Sequence, residues 1–137
     1  MHINILAGGP VELLPNLNEY KQENEVWVGV DRGVFTLINM NITPQIAFGD
    51  FDSVTKQELM IIEENVENMK IYKPEKNETD MELALNWAIE QRPDLIRVFG
   101  ASGGRLDHFL ANIQLLVKPL MEENNVKIFL IDKQNII

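Results

Sequence analysis

Short apolar runs alternate along the chain with stretches whose apolar residues recur at helical spacing. Ile3 to Ala7, Val26 to Val30, Ile46 to Phe48, Met69 to Tyr72, Leu95 to Phe99 and Val126 to Ile131 are rich in β-branched or aromatic residues, and turn residues flank most of them. They predict six strands. Between them, Val34 to Met40 predicts a short helix. Thr55, with Glu58 three residues on, forms a capping box for a helix running to about Glu64. Thr79 with Glu82 forms a second box, followed by the stripe Met81, Ala84, Leu85, Ala88 and Ile89. Leu106, Phe109, Leu110, Ile113, Leu116, Val117 and Leu120 give the clearest amphipathic helix. Val11 to Tyr20 is a weaker helical segment, interrupted by Pro15.

Strands that alternate with helices imply right-handed crossovers and a mostly parallel sheet. Continuously apolar strands agree with burial on both faces. The expectation is therefore an α/β domain with a mostly parallel, six-stranded, Rossmann-like sheet and helices on both faces, occupying residues 1–137. Such sheets bind ligands outside the carboxyl ends of their strands. That rule gathers Gly8-Gly9, Asp31-Arg32-Gly33, Gly49 to Ser53, Lys73 to Asp80 and Gly100 to His108 on one edge. Most of the chain's unusual chemistry falls in these five stretches.

Composition narrows the choice of chemistry. The 137 residues are 45% hydrophobic and 24% charged, ordinary values for a folded domain. A net charge of −9 excludes the concentrated basic footprint of a nucleic-acid surface, but not a nucleotide substrate. With no cysteine there is neither a disulfide framework nor thiolate chemistry. The N-terminus lacks the basic flank of a signal peptide, and no apolar run reaches membrane-spanning length, so the expected compartment is the cytoplasm.

In Gly49-Asp50-Phe51-Asp52-Ser53 an extended backbone would turn Asp50 and Asp52 to one side, with Cα atoms about 6.5 Å apart. Such a pair suits Mg²⁺, which takes one or two carboxylates plus phosphate oxygens. The same five residues also suit a plain turn. Gly8-Gly9 can bring backbone N–H donors close to a ligand, or simply make a tight turn. Arg32 can meet a phosphate and Asp31 a ribose hydroxyl or base, or the two can form a solvated ion pair. Thr79 and Asp80 are explained by capping and the helix dipole. The preceding Lys73 and Lys76 leave room for phosphate binding, with Asp80 in a metal shell. Gly100-Ala101-Ser102-Gly103-Gly104-Arg105-Leu106-Asp107-His108 joins glycines to a helix start, an anion site to which Arg105 adds a donor fork. His108 is either a structural residue or part of that site; His2 has no evident role.

These motifs, in this order, resemble the thiamine pyrophosphokinase (thiamine diphosphokinase) family. The resemblance spans nearly the whole chain and rests most heavily on GASGGRLDHFLANIQLL at 100–116, with GDFDS at 49–53 and Thr79-Asp80-x-Glu82-x-Ala84-Leu85. It implies Mg²⁺-dependent transfer of pyrophosphate from ATP to the hydroxyl of thiamine, giving thiamine diphosphate and AMP. It implies Mg²⁺ at Asp50, Asp52 and Asp80, with Arg105 acting on the phosphates. It implies ATP contacts from Gly8, Gly9, Asp31, Arg32, Ser53, Thr79, Gly103, Gly104, Arg105, Asp107 and His108. The family usually has Asp where this chain has Asn77, which can offer a cation only an uncharged oxygen. The family also carries a further β-rich domain that helps build a homodimer and the thiamine site; that domain is expected to be absent from these 137 residues. Two rival functions compete: a non-catalytic nucleotide-binding module, and a phosphatase using Asp50 as nucleophile.

Overall fold

The computed structural model describes residues 1–9, 11–20, 24–49, 55–66, 68–71, 80–100 and 126–132. The strands are β1 (His2–Leu6), β2 (Glu25–Val30), β3 (Ile46–Gly49), β4 (Asn68–Ile71), β5 (Leu95–Phe99) and β6 (Lys127–Ile131). The α-helices are α1 (Arg32–Asn39), α2 (Lys56–Asn65) and α3 (Asp80–Glu90). The strands form one sheet in the order β4-β3-β2-β1-β5-β6, with every neighbouring pair parallel. The expected α/β class and parallel sheet are both found.

The chain steps outward from β1 through β2 and β3 to β4, then returns across the sheet to lay β5 against the free side of β1. With right-handed crossovers, outward and returning connections must place their helices on opposite faces. Burial agrees. Ile3, Ile5, Val28, Val30, Ile46, Phe48, Ile96 and Val98 lie under Met81, Ala84, Leu85 and Ala88 of α3. On the other face Ala47 packs with Val34 of α1 and Ile62 of α2, while Leu6, Trp27 and Phe99 pack with Leu37 of α1. The helical stripe of α3 was legible as a 3.6-residue period, and burying a leucine such as Leu85 contributes about 1.5–3 kcal/mol.

Most strand ends differ from expectation by a residue, and two helical segments differ by more. The segment Val11 to Tyr20 is not a single helix but two short 3-10 helices, Val11–Leu13 and Leu17–Tyr20. Pro15 offers no N–H and its ring crowds the preceding turn, and the Asn16 side chain accepts from the Asn18 N–H at 3.2 Å instead. Helix α1 starts at Arg32, two residues before the expected Val34, because Asp31 turns the chain straight out of β2. Strand β3 extends to Gly49. The capping box of α2 forms as expected: the Thr55 N–H donates to Glu58 Oε1 at 2.9 Å, and the Glu58 N–H to Thr55 Oγ1 at 3.1 Å. The second box, at Thr79, and the helix expected from Leu106 lie outside the described residues.

Register is fixed at the amino end by polar side chains. Asn4, fully buried in β1, donates through Nδ2 to Glu25 Oε2 at 2.7 Å. Arg97 of β5 donates through Nη1 to Asn4 Oδ1 at 3.3 Å and to Glu25 Oε1 at 3.1 Å, with its guanidinium 5.0 Å from the Tyr20 ring centroid. His2, given no role by the sequence, lies with Nδ1 3.0 Å from Glu25 Oε1. One glutamate thus ties three adjacent strands. Gln45 does a related job beside β3: its Oε1 accepts from the Trp27 N–H at 2.7 Å, and its N–H donates to the Trp27 carbonyl at 2.8 Å. Removing one partner of a buried ion pair strands the other charge. Glu25→Ala should therefore lower unfolding free energy by about 3 kcal/mol, read from urea midpoints. An unchanged midpoint would show that solvent satisfies Arg97.

Candidate functional site

The carboxyl ends of β1, β2, β3 and β5 lie side by side, and the first three release their chains into candidate loops that touch. The β1–β5 pairing continues past both strands: the Ala7 N–H donates to the Phe99 carbonyl and the Gly9 N–H to the Gly100 carbonyl, each at 2.8 Å. Gly8-Gly9 was read either as N–H donors for a ligand or as a tight turn; the Gly9 donor is engaged by β5's exit. A side chain at Gly8 would stand 3.4 Å from Arg32 Cβ, so the first loop lies against the second.

The second loop is the most constrained. Gly33 sits so close to the Leu6 carbonyl that any Cβ would overlap it, which lets α1 begin directly over the end of β1. Asp31 takes φ 51°, ψ −123°, the conformation of the first central residue of a type II′ turn, where glycine is the usual occupant. Its N–H donates to the Phe48 carbonyl at 2.9 Å and its carbonyl accepts from the Val34 N–H at 3.2 Å. A non-glycine residue held there costs about 1–3 kcal/mol, and such residues concentrate at functional sites. The Asp31 side chain does not cap α1. Its Oδ1, shielded from solvent, lies over Gly49, whose φ is 142°. A Cβ on Gly49 would collide with that carboxylate oxygen. Gly49 opens the third loop, so Asp31 is delivered to the threshold of the Asp50–Asp52 pair.

Arg32 is the first residue of α1, where a cation is unfavourable to the helix dipole and no acidic residue stands in the same turn. Its compensation comes from α2. Nη1 donates to Glu58 Oε1 at 3.1 Å and Nη2 to Glu58 Oε2 at 3.0 Å, a fork-on-fork pair. The guanidinium also lies 5.9 Å from the Phe35 ring centroid. The Arg32 side chain remains 46% exposed, whereas that of Glu58 is 14% exposed. Glu58 therefore serves two groups at once, the Thr55 N–H and Arg32. The sequence pattern disclosed only the first of them; the second depends on how α1 and α2 lie against each other. Asp80 opens α3, half-buried, on the helix that packs over β1, β2 and β3. Asp50, Asp52, Ser53, Thr79, Gly103, Gly104, Arg105, Asp107 and His108 lie outside the described residues.

This arrangement defines a class: an α/β domain whose strand order reverses between β1 and β5, with loops converging where such sheets hold ligands. The particular family follows from comparison. Residues 17–130 match the family described as thiamin pyrophosphokinase, catalytic domain, and the chain belongs to that family. It is 53% identical over 133 residues to thiamine pyrophosphokinase of Bacillus subtilis, covering 97% of this chain and 61% of that protein. The crystal structure of thiamine pyrophosphokinase from Bacillus subtilis superposes with a TM-score of 0.90 at 51% identity, over 99% of this chain and 62% of that one. The structure of thiamin pyrophosphokinase from Geobacillus thermodenitrificans gives 0.87 at 45% identity, over 99% and 61%. The chain thus spans about three fifths of the length of these relatives.

The Glu58 carboxyl is held below its ordinary value of 4.5, chiefly by the Thr55 backbone hydrogen bond and then by Arg32. A depressed folded-state pKa means that the ionised form stabilises the fold. That contribution is complete above about pH 4.5 and is lost as pH falls through the lower, folded-state value. The stability gap between wild type and Glu58→Gln, measured in urea, should be constant near neutrality and close as pH drops below 4.5. A gap independent of pH would show that the charge itself contributes nothing.

Proposed function

We propose that the chain is the ATP-binding, catalytic part of a thiamine diphosphokinase with a Rossmann-like sheet, transferring pyrophosphate from ATP to thiamine. The observation that carries the reading is a chain of contacts at the carboxyl edge: Gly8 lies against Arg32, and the carboxylate of the adjacent Asp31 lies over Gly49, the residue before the Asp50–Asp52 stretch. Membership of the family supplies the substrates. The hydroxyl of thiamine attacks the β-phosphorus of ATP, the bond to the α–β bridging oxygen breaks, and AMP leaves. Enzymes of phosphoryl transfer work mainly by positioning and by neutralising charge.

The donor set is all carboxylate oxygen, which fits a hard cation, and Asp31's solvent-shielded carboxylate marks the place where negative charge accumulates. Asp50, Asp52 and Asp80 would hold Mg²⁺, which when bound offsets charge on the phosphates. Arg105 and the Gly103-Gly104 backbone bind the phosphate oxygens from the loop after β5, with Ser53, Thr79, Asp107 and His108 contributing further nucleotide contacts. Asp80 either joins the metal site or takes the proton of the attacking hydroxyl. Part of the acceptor site belongs, by the family resemblance, to a further β-rich domain and to a dimer partner, and the enzyme acts in the cytoplasm. Among the described residues no helix is long and apolar enough to cross a membrane.

The test is incubation with Mg-ATP and thiamine. Thiamine diphosphate and AMP should appear in equal amounts; ADP with thiamine monophosphate would replace pyrophosphoryl by phosphoryl transfer. A trapped phospho-aspartate would favour a phosphatase instead.

Asp31→Gly should relax the turn while removing the carboxylate. The urea midpoint is expected to hold or rise, as for glycine placed at positive φ, while Mg-ATP affinity falls. Calorimetry alongside denaturation reads both; a midpoint that drops with unchanged affinity would make Asp31 purely structural. Arg105→Lys keeps the charge but loses the fork, and kcat/KM should fall by about 1–3 kcal/mol of transition-state stabilisation. Wild-type kinetics in that variant would remove Arg105 from the phosphates.

A further inference from the structure

We infer that Glu58 is a positioning residue for nucleotide binding, acting through Arg32; the inference rests on the ATP reading above. Three observations carry it. First, Arg32 needs a counter-ion, because it begins α1 at the positive end of the helix dipole with no acid in its own turn. Second, the counter-ion it has is bidentate and comes from another element: Nη1 and Nη2 meet Glu58 Oε1 and Oε2 at 3.1 and 3.0 Å across 26 residues of sequence. Third, Glu58 is itself fixed. Its Oε1 also accepts the Thr55 N–H at 2.9 Å, so the carboxylate stands on the first turn of the helix that follows the Gly49–Ser53 stretch.

The pair therefore joins the exits of two strands and touches a third. Arg32 leaves β2 with its Cβ against Gly8 of the β1 loop, and Glu58 stands where the chain resumes after β3. An exposed arginine would otherwise sample many rotamers, and ordering it on binding opposes affinity. The fork on Glu58 engages only part of the guanidinium's five donors. The Arg32 side chain is 46% exposed and so can be reached by a phosphate from solvent. Glu58 thus holds an accessible Arg32 in one orientation before the ligand arrives.

Glu58→Gln separates this role from helix capping, because Gln at the third helical position also completes a capping box. Thr55→Ala does the converse, breaking the box and leaving the pair with Arg32. Mg-ATP titration of the full chain by calorimetry, with steady-state kinetics and a thermal melt for each variant, gives the readout. Glu58→Gln should raise Kd and KM for Mg-ATP about fivefold, the scale of one well-oriented surface pair, with kcat within about twofold. Thr55→Ala should lower the melting temperature and leave Kd unchanged. In an Arg32→Gln background Glu58→Gln should add nothing to Kd. Additive effects, an effect of Thr55→Ala on Kd equal to that of Glu58→Gln, or tighter binding by Glu58→Gln would each overturn the role. A wild-type chain that fails to bind Mg-ATP would overturn the ATP reading and the inference with it. Wild-type binding with an unaltered Glu58→Gln would overturn the inference alone.

Discussion

Strand β1 is hydrogen-bonded in parallel to β2 along one side and to β5 along the other, and the candidate site depends on that double pairing. Its two partners come from opposite parts of the chain, so the loops after β1, β2 and β5 meet only once the sheet has closed around it. Ile3, Ile5 and Leu6 are wholly buried, and a slip of one residue would exchange the faces on which they lie. Burial alone does not resist such a slip on a strand that is apolar on both faces. The polar set at the amino end does: Asn4, Glu25 and Arg97 can satisfy one another in only one register. The amino edge thus fixes what the carboxyl edge uses.

At the carboxyl edge the constraints are of another kind. Asp31 holds a backbone conformation suited to glycine, while Gly33 and Gly49 permit approaches that no side chain would allow. A fold selected for stability alone would place glycine at 31 and lose a carboxylate. Strain of this sort persists because the surroundings over-determine it: Phe48 and Val34 hold both backbone groups of Asp31, and helix α1 is anchored on β1 just beyond. Stability generated in the core by α3 and the β-face it covers offsets what the turn costs.

The sequence showed most where local physics decides. The 3.6-residue stripe of α3, the reciprocal caps of Thr55 and Glu58, and the continuous apolar strands follow from short-range pattern, and all are found. Pro15 was visible, but the two 3-10 turns around it depended on an Asn16 side chain that competes with the helix backbone. Part of the candidate site was legible as loop chemistry after strands. The positive φ of Asp31 was not, since any sequence can write Asp there, nor was the fork between Arg32 and Glu58. That contact depends on how α1 and α2 lie against each other on one face of the sheet, a tertiary relation with no local signature. His2 is the same case: its partner in β2 is adjacent only through strand pairing.

A chain with net charge −9 must receive a polyanion if the nucleotide reading holds, and the structure suggests how the two fit. At physiological ionic strength charges more than about 8 Å from the site are largely screened, so the overall sign governs encounter more than affinity. Affinity then depends on the few cations within reach and on the state in which they wait. Arg32 waits already paired, with its counter-ion supplied by a carboxylate that is tied to the backbone of α2. Such a cation repels neighbouring Lys or Arg little and is not pulled out of place by the surrounding acids. Asp31 accumulates negative charge beside it, at Gly49, where a divalent cation arriving with the nucleotide would be needed to balance both. Acidic composition and phosphate chemistry are then compatible, because the charge that matters is arranged in pairs before the ligand arrives.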